Sequence, residues 1–234
     1  MGIITWLSNN YIEVFGAVTG ILYVFLEIKQ NPLLWPVGII TSGVYIYVFF
    51  TGKLYADMCL QTYYVVISIL GWYWWVRDGQ KDPPSKGERG MSVAEGSESP
   101  ISGRYTGEKE PEEHHAGTLQ VTRAGLKLAV KIAVVFALLW AGMWQVLARF
   151  TDSPVPIADS FITSLSIVAT WMLARKIYEH WYLWVVVNFA MSLLCAARGM
   201  YPTLVLYIVY GVMSFAGLRE WAKTIVNSGE KTIE

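Results

Sequence analysis

Trp181, Trp184 and Asn188 follow one another at steps of three and four inside an apolar stretch, so a helix there carries two indoles and one amide on a single face. An indole offers a flat, electron-rich surface to aromatic rings and cations, and an amide both donates and accepts hydrogen bonds. The set suits a small solute with a ring at one end and hydroxyls at the other. For Trp181, and for Trp35 in the run Asn-Pro-Leu-Leu-Trp-Pro-Val-Gly, ligand contact competes with membership of an aromatic belt at a membrane surface. Asn188 lies two turns deeper, beyond the reach of such a belt.

A second polar stripe joins Asp57, Gln61, Tyr64, Ser68, Gly71 and Trp75, again at steps of three and four. Thr203, Tyr207, Tyr210, Ser214, Gly217 and Trp221 repeat it near the carboxyl end. Two such stripes facing each other line a cavity. Ser68, Ser214, Gly71 and Gly217 fit close helix packing, which is common in membrane bundles. For Gln61 and Tyr207, ligand contact and helix-helix hydrogen bonding weigh equally, and Tyr64 and Tyr210 join the candidates by their place on the stripes. Asp57 and Trp75 lie nearer the helix ends, where interfacial anchoring competes.

The elements that must position these residues are set by composition. Of 234 residues 54% are apolar and only 15% charged, against about 25% charged in soluble domains, and mean hydropathy is +0.40. Zero net charge excludes a nucleic-acid binder, and Cys59 and Cys195, each inside an apolar run, exclude a disulfide scaffold. Apolar windows fall at Tyr11 to Ile28, Leu33 to Phe50, Leu54 to Val76, Leu126 to Leu147, Ile157 to Ala174, Trp181 to Ala197 and Tyr201 to Trp221. Seven transmembrane spans result, in an all-α membrane protein. Met1 to Asn10 carries no basic residue and no cleavage pattern, so the first span serves as its own insertion signal. Lys29, Arg77, Arg175, Lys176, Arg219 and Lys223 cluster at one side and only Lys53, Arg149 and Arg198 at the other, which places the amino terminus outside and the carboxyl terminus in the cytoplasm. The insert from Asp78 to Thr122, rich in Gly, Ser, Pro, Glu and Lys, reads as a disordered cytoplasmic linker, with His114 and His115 as solvated loop residues.

Displacing the chain by 146 residues brings Trp35 onto Trp181, Tyr64 onto Tyr210, Ser68 onto Ser214, Gly71 onto Gly217 and Trp75 onto Trp221. Ser42 then falls on Asn188. Two three-helix units inserted directly one after the other point in opposite directions, and one additional helix, the span Leu126 to Leu147, restores parallel orientation. The expected organisation is therefore three plus one plus three: residues 1–76, a linker 77–124, a connector helix 125–149, a second repeat 150–222 and a tail 223–234. Paired parallel bundles of this kind are a known plan of transporters. There is no phosphate-binding loop, no chain of buried carboxylates and no metal-ligand cluster, so neither an energised pump nor a cofactor is expected. His180 stands alone near a span and reads as an interfacial residue, which argues against an intramembrane enzyme.

With these residues assembled, the chain resembles the PnuC family of bacterial vitamin transporters. The likeness rests on Asn31 to Gly38, Leu54 to Gln61, Gly71 to Trp75 and above all Trp181 to Asn188, which is similar to that family's tryptophan-rich substrate motif. The resemblance implies a SWEET-like fold and a homotrimer in the bacterial inner membrane. It further implies facilitated diffusion of nicotinamide riboside, held inside the cell by cytoplasmic phosphorylation, with Trp181, Trp184 and Asn188 touching the substrate. A pyridinium suits the indoles and a ribose suits Asn188 and Gln61. Thiamine and riboflavin, carried by relatives of that family, also present flat rings, so the choice of vitamin stays open. A membrane protein with a purely structural role is the alternative of another class, and such a protein has no need of Asn188.

Overall fold

The structure is a computed structural model, and it describes residues 11–51, 55–77, 119–151, 154–228 and 232–233. Most of the expected linker, with His114 and His115, lies outside the described residues, as does the side chain of Asp57. The fold is all-helical. Its helices are α1 Tyr11–Ile28, α2 Leu34–Thr51, α3 Tyr55–Arg77, α4 Leu126–Phe150, α5 Pro156–Ala174, α6 His180–Ala197 and α7 Tyr201–Ser228. A two-residue strand β1, Arg123–Ala124, pairs in parallel with β2, Thr232–Ile233.

The starts of these helices lie within one residue of the apolar windows, because hydropathy is what ends them. Two run on further. α7 continues to Ser228, and its extra turns set Ile225 in the core and Thr224 where its hydroxyl accepts a hydrogen bond from Gln30. Glu220 and Lys223 close the apolar window at Trp221, yet an amphipathic extension is stable wherever one face has a core to meet. Five helices, α2, α4, α5, α6 and α7, are long and apolar enough to cross a membrane. α1 contributes a shorter apolar stretch, Val14–Ile28, and α3 is rich in Tyr and Trp, whose polar tips lower its hydropathy although their rings are apolar. α4 has no buried residue, with Leu138 70% exposed, an arrangement that lipid tolerates and water does not.

α2 packs on α3 and α6 on α7; α1 meets α2 and α5 meets α6; and α1 contacts α7 as α3 contacts α5. Exchanging α1 with α5, α2 with α6 and α3 with α7 leaves this set of contacts unchanged. The turns repeat as well. Gln30 and Lys176, 146 residues apart, both adopt positive φ, 53° and 50°. Asn31 N–H donates to the Leu26 carbonyl and Gln30 N–H to that of Glu27, while Ile177 donates to Met172 and Lys176 to Leu173. Each is a left-handed helix stop with the 6→1 and 5→2 bonds that satisfy otherwise orphaned carbonyls.

The largest core cluster lies at the end of the bundle from which the insert leaves, called here the insert end. Trp35 meets Trp75 edge-on, with ring centroids 5.4 Å apart at 87°, and Trp181 meets Trp221 likewise at 5.8 Å and 82°. Each outer indole lies on a glycine: a Cβ on Gly71 would overlap the Trp35 ring, and one on Gly217 the Trp181 ring. The inner indoles tie the halves together, Trp75 Nε1 donating to the Ala174 carbonyl at 3.2 Å and Trp221 Nε1 to that of Glu27 at 3.1 Å.

The last residues of the insert are fastened beneath this cluster. Thr122 N–H donates to the Lys176 carbonyl, Tyr178 N–H donates to the Thr122 carbonyl, Ala124 N–H donates to Glu179 Oε2, and Val121 is buried in the core. Pro32 occupies the position equivalent to Tyr178, and lacking an N–H it offers no such anchor on the first half. Lys176, in the turn between α5 and α6, is buried with its ammonium 4.3 Å from the centre of the Trp75 ring. Burial lowers its pKa to about 8.

Gly217→Ala forces the Trp181 ring to move and is expected to cost about 1–3 kcal/mol, read as a lower melting temperature of the detergent-solubilised protein. Gly142→Ala, where an added methyl meets open space, leaves it unchanged or raises it. Because the folded state disfavours charged Lys176, the unfolded chain holds more protons between pH 8 and the ordinary lysine range. Stability therefore rises with pH across that window. Lys176→Met is expected to flatten this rise in melts taken from pH 7.5 to 10.

Candidate functional site

Helix α6 places its three candidates at successive depths. Trp181 is fully buried in the core at the insert end; Trp184, partly buried, touches both that core and a second cluster around Ile162, Leu165 and Val187; Asn188 is buried a turn further on. Asn188 Nδ2 donates to Ser214 Oγ at 3.1 Å, and Ser214 Oγ donates to the Tyr210 carbonyl at 2.8 Å. The amide is thus aimed from α7. Ser214, read from the sequence as packing, is what orients it; its place on the stripe beside Tyr210 was the available signal.

The tyrosines sit at the contacts between the halves. Tyr64 on α3 lies beside Ser166 on α5, and its neighbour Tyr63 donates to the Ile167 carbonyl at 2.8 Å. At the equivalent place the Tyr210 hydroxyl lies against Gly20 on α1, where a Cβ would overlap it. Gly20 and Ser166 are themselves 146 residues apart, so both halves use the same tyrosine contact. Tyr207 packs edge-on to Tyr210, with centroids 6.0 Å apart. Gln61 is half-buried toward the opposite end of α3. Tyr64 and Tyr210 therefore lie at contacts between the halves, Trp184 packs in the core that holds Tyr64, Asn188 lies against α7, and Trp35 and Trp181 are set at the insert end.

Buried polar side-chain atoms without a hydrogen-bond partner are few among the described residues: Trp35 Nε1, Trp181 Nε1, Trp184 Nε1, Ser164 Oγ, Thr41 Oγ1 and Thr122 Oγ1. Leaving a buried donor unpaired costs about 1–3 kcal/mol. The three indole donors are those of the three candidate tryptophans. The two halves also differ at the equivalent positions. Trp184 corresponds to Gly38, against which Tyr23 and Ser68 pack, and Asn188 corresponds to the buried Ser42. The ring and the amide are thus offered from one half only. A groove lined by Trp140, Pro156, Phe161, Ala190 and Leu194, with a volume near 830 Å³, opens elsewhere, between α4, α5 and α6, and touches none of the candidates.

One buried pair lies at the insert end beyond the sequence reading. His180 Nε2 is 3.1 Å from Glu27 Oε1, with side chains 0% and 3% exposed, and His180 Nδ1 is 2.7 Å from the Ile177 carbonyl. His180 is therefore not an interfacial residue. It is packed between the rings of Trp181 and Trp221, at 4.8 and 4.7 Å. Glu27 sits 153 residues away in the chain, and no local pattern links the two.

The chain matches the nicotinamide mononucleotide transporter family over residues 10–223. The nicotinamide riboside transporter PnuC of Escherichia coli is 25% identical over 232 residues, covering 96% of this chain and 90% of that protein. The PnuC of Neisseria mucosa is 26% identical over 228 residues, covering 94% and 73%. The riboflavin/roseoflavin transporter RibM of Streptomyces davaonensis is 23% identical over 209 residues, covering 89% and 83%. In fold, the chain is similar to the crystal structure of the vitamin B3 transporter PnuC, with a TM-score of 0.67 at 22% identity, over 97% of this chain and 87% of that one. The family match runs from the first described helix into the last, and this chain belongs to the nicotinamide mononucleotide transporter family of membrane transporters.

Proposed function

We propose that this protein carries nicotinamide riboside across the bacterial inner membrane by facilitated diffusion, in the interface between two parallel three-helix repeats joined by α4. Support for the repeats comes from the exchange symmetry of the helix contacts and from the two identical helix stops at Gln30 and Lys176. Trp184 stacks on the nicotinamide ring, Asn188 hydrogen-bonds the ribose, and Tyr64, Tyr207, Tyr210 and Gln61 line the path, with Trp35 and Trp181 at its insert end. The single observation that carries this reading is that the three candidate tryptophans each hold a buried, unpartnered indole donor. A ligand presenting both a ring and hydroxyls answers such donors. Because the counterparts of Trp184 and Asn188 in the other half are Gly38 and Ser42, the ligand is bound in one orientation, its ring toward α6. All seven helices cross the bilayer in this reading, with the amino terminus outside, the insert end in the cytoplasm and three copies forming the assembly. Phosphorylation inside the cell retains the product and gives the downhill flux its direction.

The riboside is preferred to its nucleotide on electrostatic grounds. Lys176, at the insert end, is the one buried lysine or arginine among the described residues, so a phosphate dianion at the depth of Asn188 finds no countercharge. Riboflavin is the second reading, favoured by the similarity to RibM. Its larger ring system requires more room beside Trp184 than a single pyridinium does.

Calorimetric titration of the purified protein with nicotinamide riboside, nicotinamide mononucleotide, thiamine and riboflavin separates these readings. Trp184→Ala and Asn188→Ala are each expected to weaken riboside binding by about 1 kcal/mol or more, several-fold in affinity, with melting temperatures close to the parent's. Undiminished binding by both variants would overturn the site. In proteoliposomes an unphosphorylated riboside is expected to equilibrate without accumulating, and uptake of the mononucleotide at a matching rate would overturn the electrostatic argument.

A further inference from the structure

The internal symmetry isolates one feature that packing alone does not require. Under the displacement of 146 residues, Glu27 corresponds to Leu173 and His180 to Leu34. All four are buried at the insert end, where Leu34 and Leu173 are fully enclosed in the core cluster. At one of two equivalent places the fold is closed by leucines, and at the other by a carboxyl and an imidazole.

The hydrogen bonding fixes the charge of the polar pair. The Ile177 carbonyl only accepts, so His180 Nδ1 carries a proton, and the contact between Nε2 and Glu27 Oε1 then requires one more proton on either atom. The pair is neutral overall in both cases, as imidazolium with carboxylate or as imidazole with carboxylic acid. It joins the last turn of α1, in one half, to the first residue of α6, the helix that carries Trp181, Trp184 and Asn188. The Glu27 carbonyl receives Trp221 Nε1 in the same place. Glu27 thus holds α6 by its side chain and α7 by its backbone. Of the titratable groups around it, His180 comes from α6 and Tyr23 from α1 itself, and α7 brings the uncharged Trp221.

We propose that Glu27 and His180 form a latch that closes the insert end and is broken and remade in each transport cycle, a role that rests on the transport function given above. A buried polar pair that parts into water regains hydration, which offsets much of the lost contact, whereas parted leucines expose apolar surface with nothing in return. A mouth sealed by leucines on both sides is stable and slow; one sealed by a Glu–His pair on one side separates there. The leucine-filled place acts as the hinge side and the polar place as the opening side. Glu27 and His180 act by positioning α6 and do not touch the ligand.

Copying the other half's solution tests this directly. The double variant Glu27→Leu, His180→Leu is expected to melt at or above the parent's temperature, to bind nicotinamide riboside with unchanged affinity in calorimetry, and to transport it in proteoliposomes about tenfold more slowly or worse. Glu27→Gln, which keeps a hydrogen-bonded polar pair, is expected to retain most of the rate. A further measurement needs no ligand and so stands apart from the choice of substrate. With Cys59→Ser and Cys195→Ala in place, Ala174→Cys at the insert end is expected to react with N-ethylmaleimide in membranes more slowly in the double-leucine protein than with the native pair. Parental transport or parental labelling by the double variant would overturn the proposal. So would loss of riboside binding, which would assign the pair to the ligand site, and so would failure to fold, since the symmetry argument holds that the fold does not need the pair.

Discussion

Two indoles lying on two glycines close one end of this bundle, and the rest of the arrangement follows from that contact. Gly71 and Gly217 let the rings of Trp35 and Trp181 come down onto the backbone of α3 and α7, and this close approach packs α2 on α3 and α6 on α7. With the outer rings seated, Trp75 and Trp221 meet them edge-on and point their N–H groups at carbonyls of the opposite half. Lipid supplies no hydrogen bonds, so a donor buried there must find its acceptor within the protein. Each inner indole finds one in the last turn of a helix, Trp75 at the Ala174 carbonyl and Trp221 at the Glu27 carbonyl, which also accepts the Gln30 N–H.

On this repeated frame the differences between the halves are few and concentrated. The second half places Trp184 and Asn188 where the first has Gly38 and Ser42, and His180 where the first has Leu34. Its turn offers the Tyr178 N–H to the insert, where the first half presents Pro32. Repetition matches the two sets of helices in their contacts and turns. Departure from it supplies a buried ring and amide, a polar contact between halves and an anchor for the insert.

Hydropathy and heavy use of Trp and Tyr made the helices legible, because burial in lipid is a property of residue type summed over a window. The repeat was legible because its identities fall on Trp, Tyr and Gly, which recur for packing reasons and not for general greasiness. Asn188 stood out because an amide in an apolar run needs a reason to be there. What escaped the sequence reading were partners: Ser214 for Asn188, the Ile167 carbonyl for Tyr63, and Glu27 for His180. The end of α7 was missed for a related reason, since an amphipathic extension looks soluble until the surface it meets is known.

By itself the sequence determined the class of protein, the placement of its helices and the face of α6 that carries two indoles and an amide, since these depend on composition and on the 3.6-residue period. Only the tertiary structure decided that His180 is buried against an acid 153 residues away, that Trp35 and Trp181 rest on glycines, and that the end of the insert is fastened to the α5–α6 turn. The reason is that such contacts join residues whose separation along the chain carries no periodic signal. They come about only when packed helices bring distant positions to the same depth.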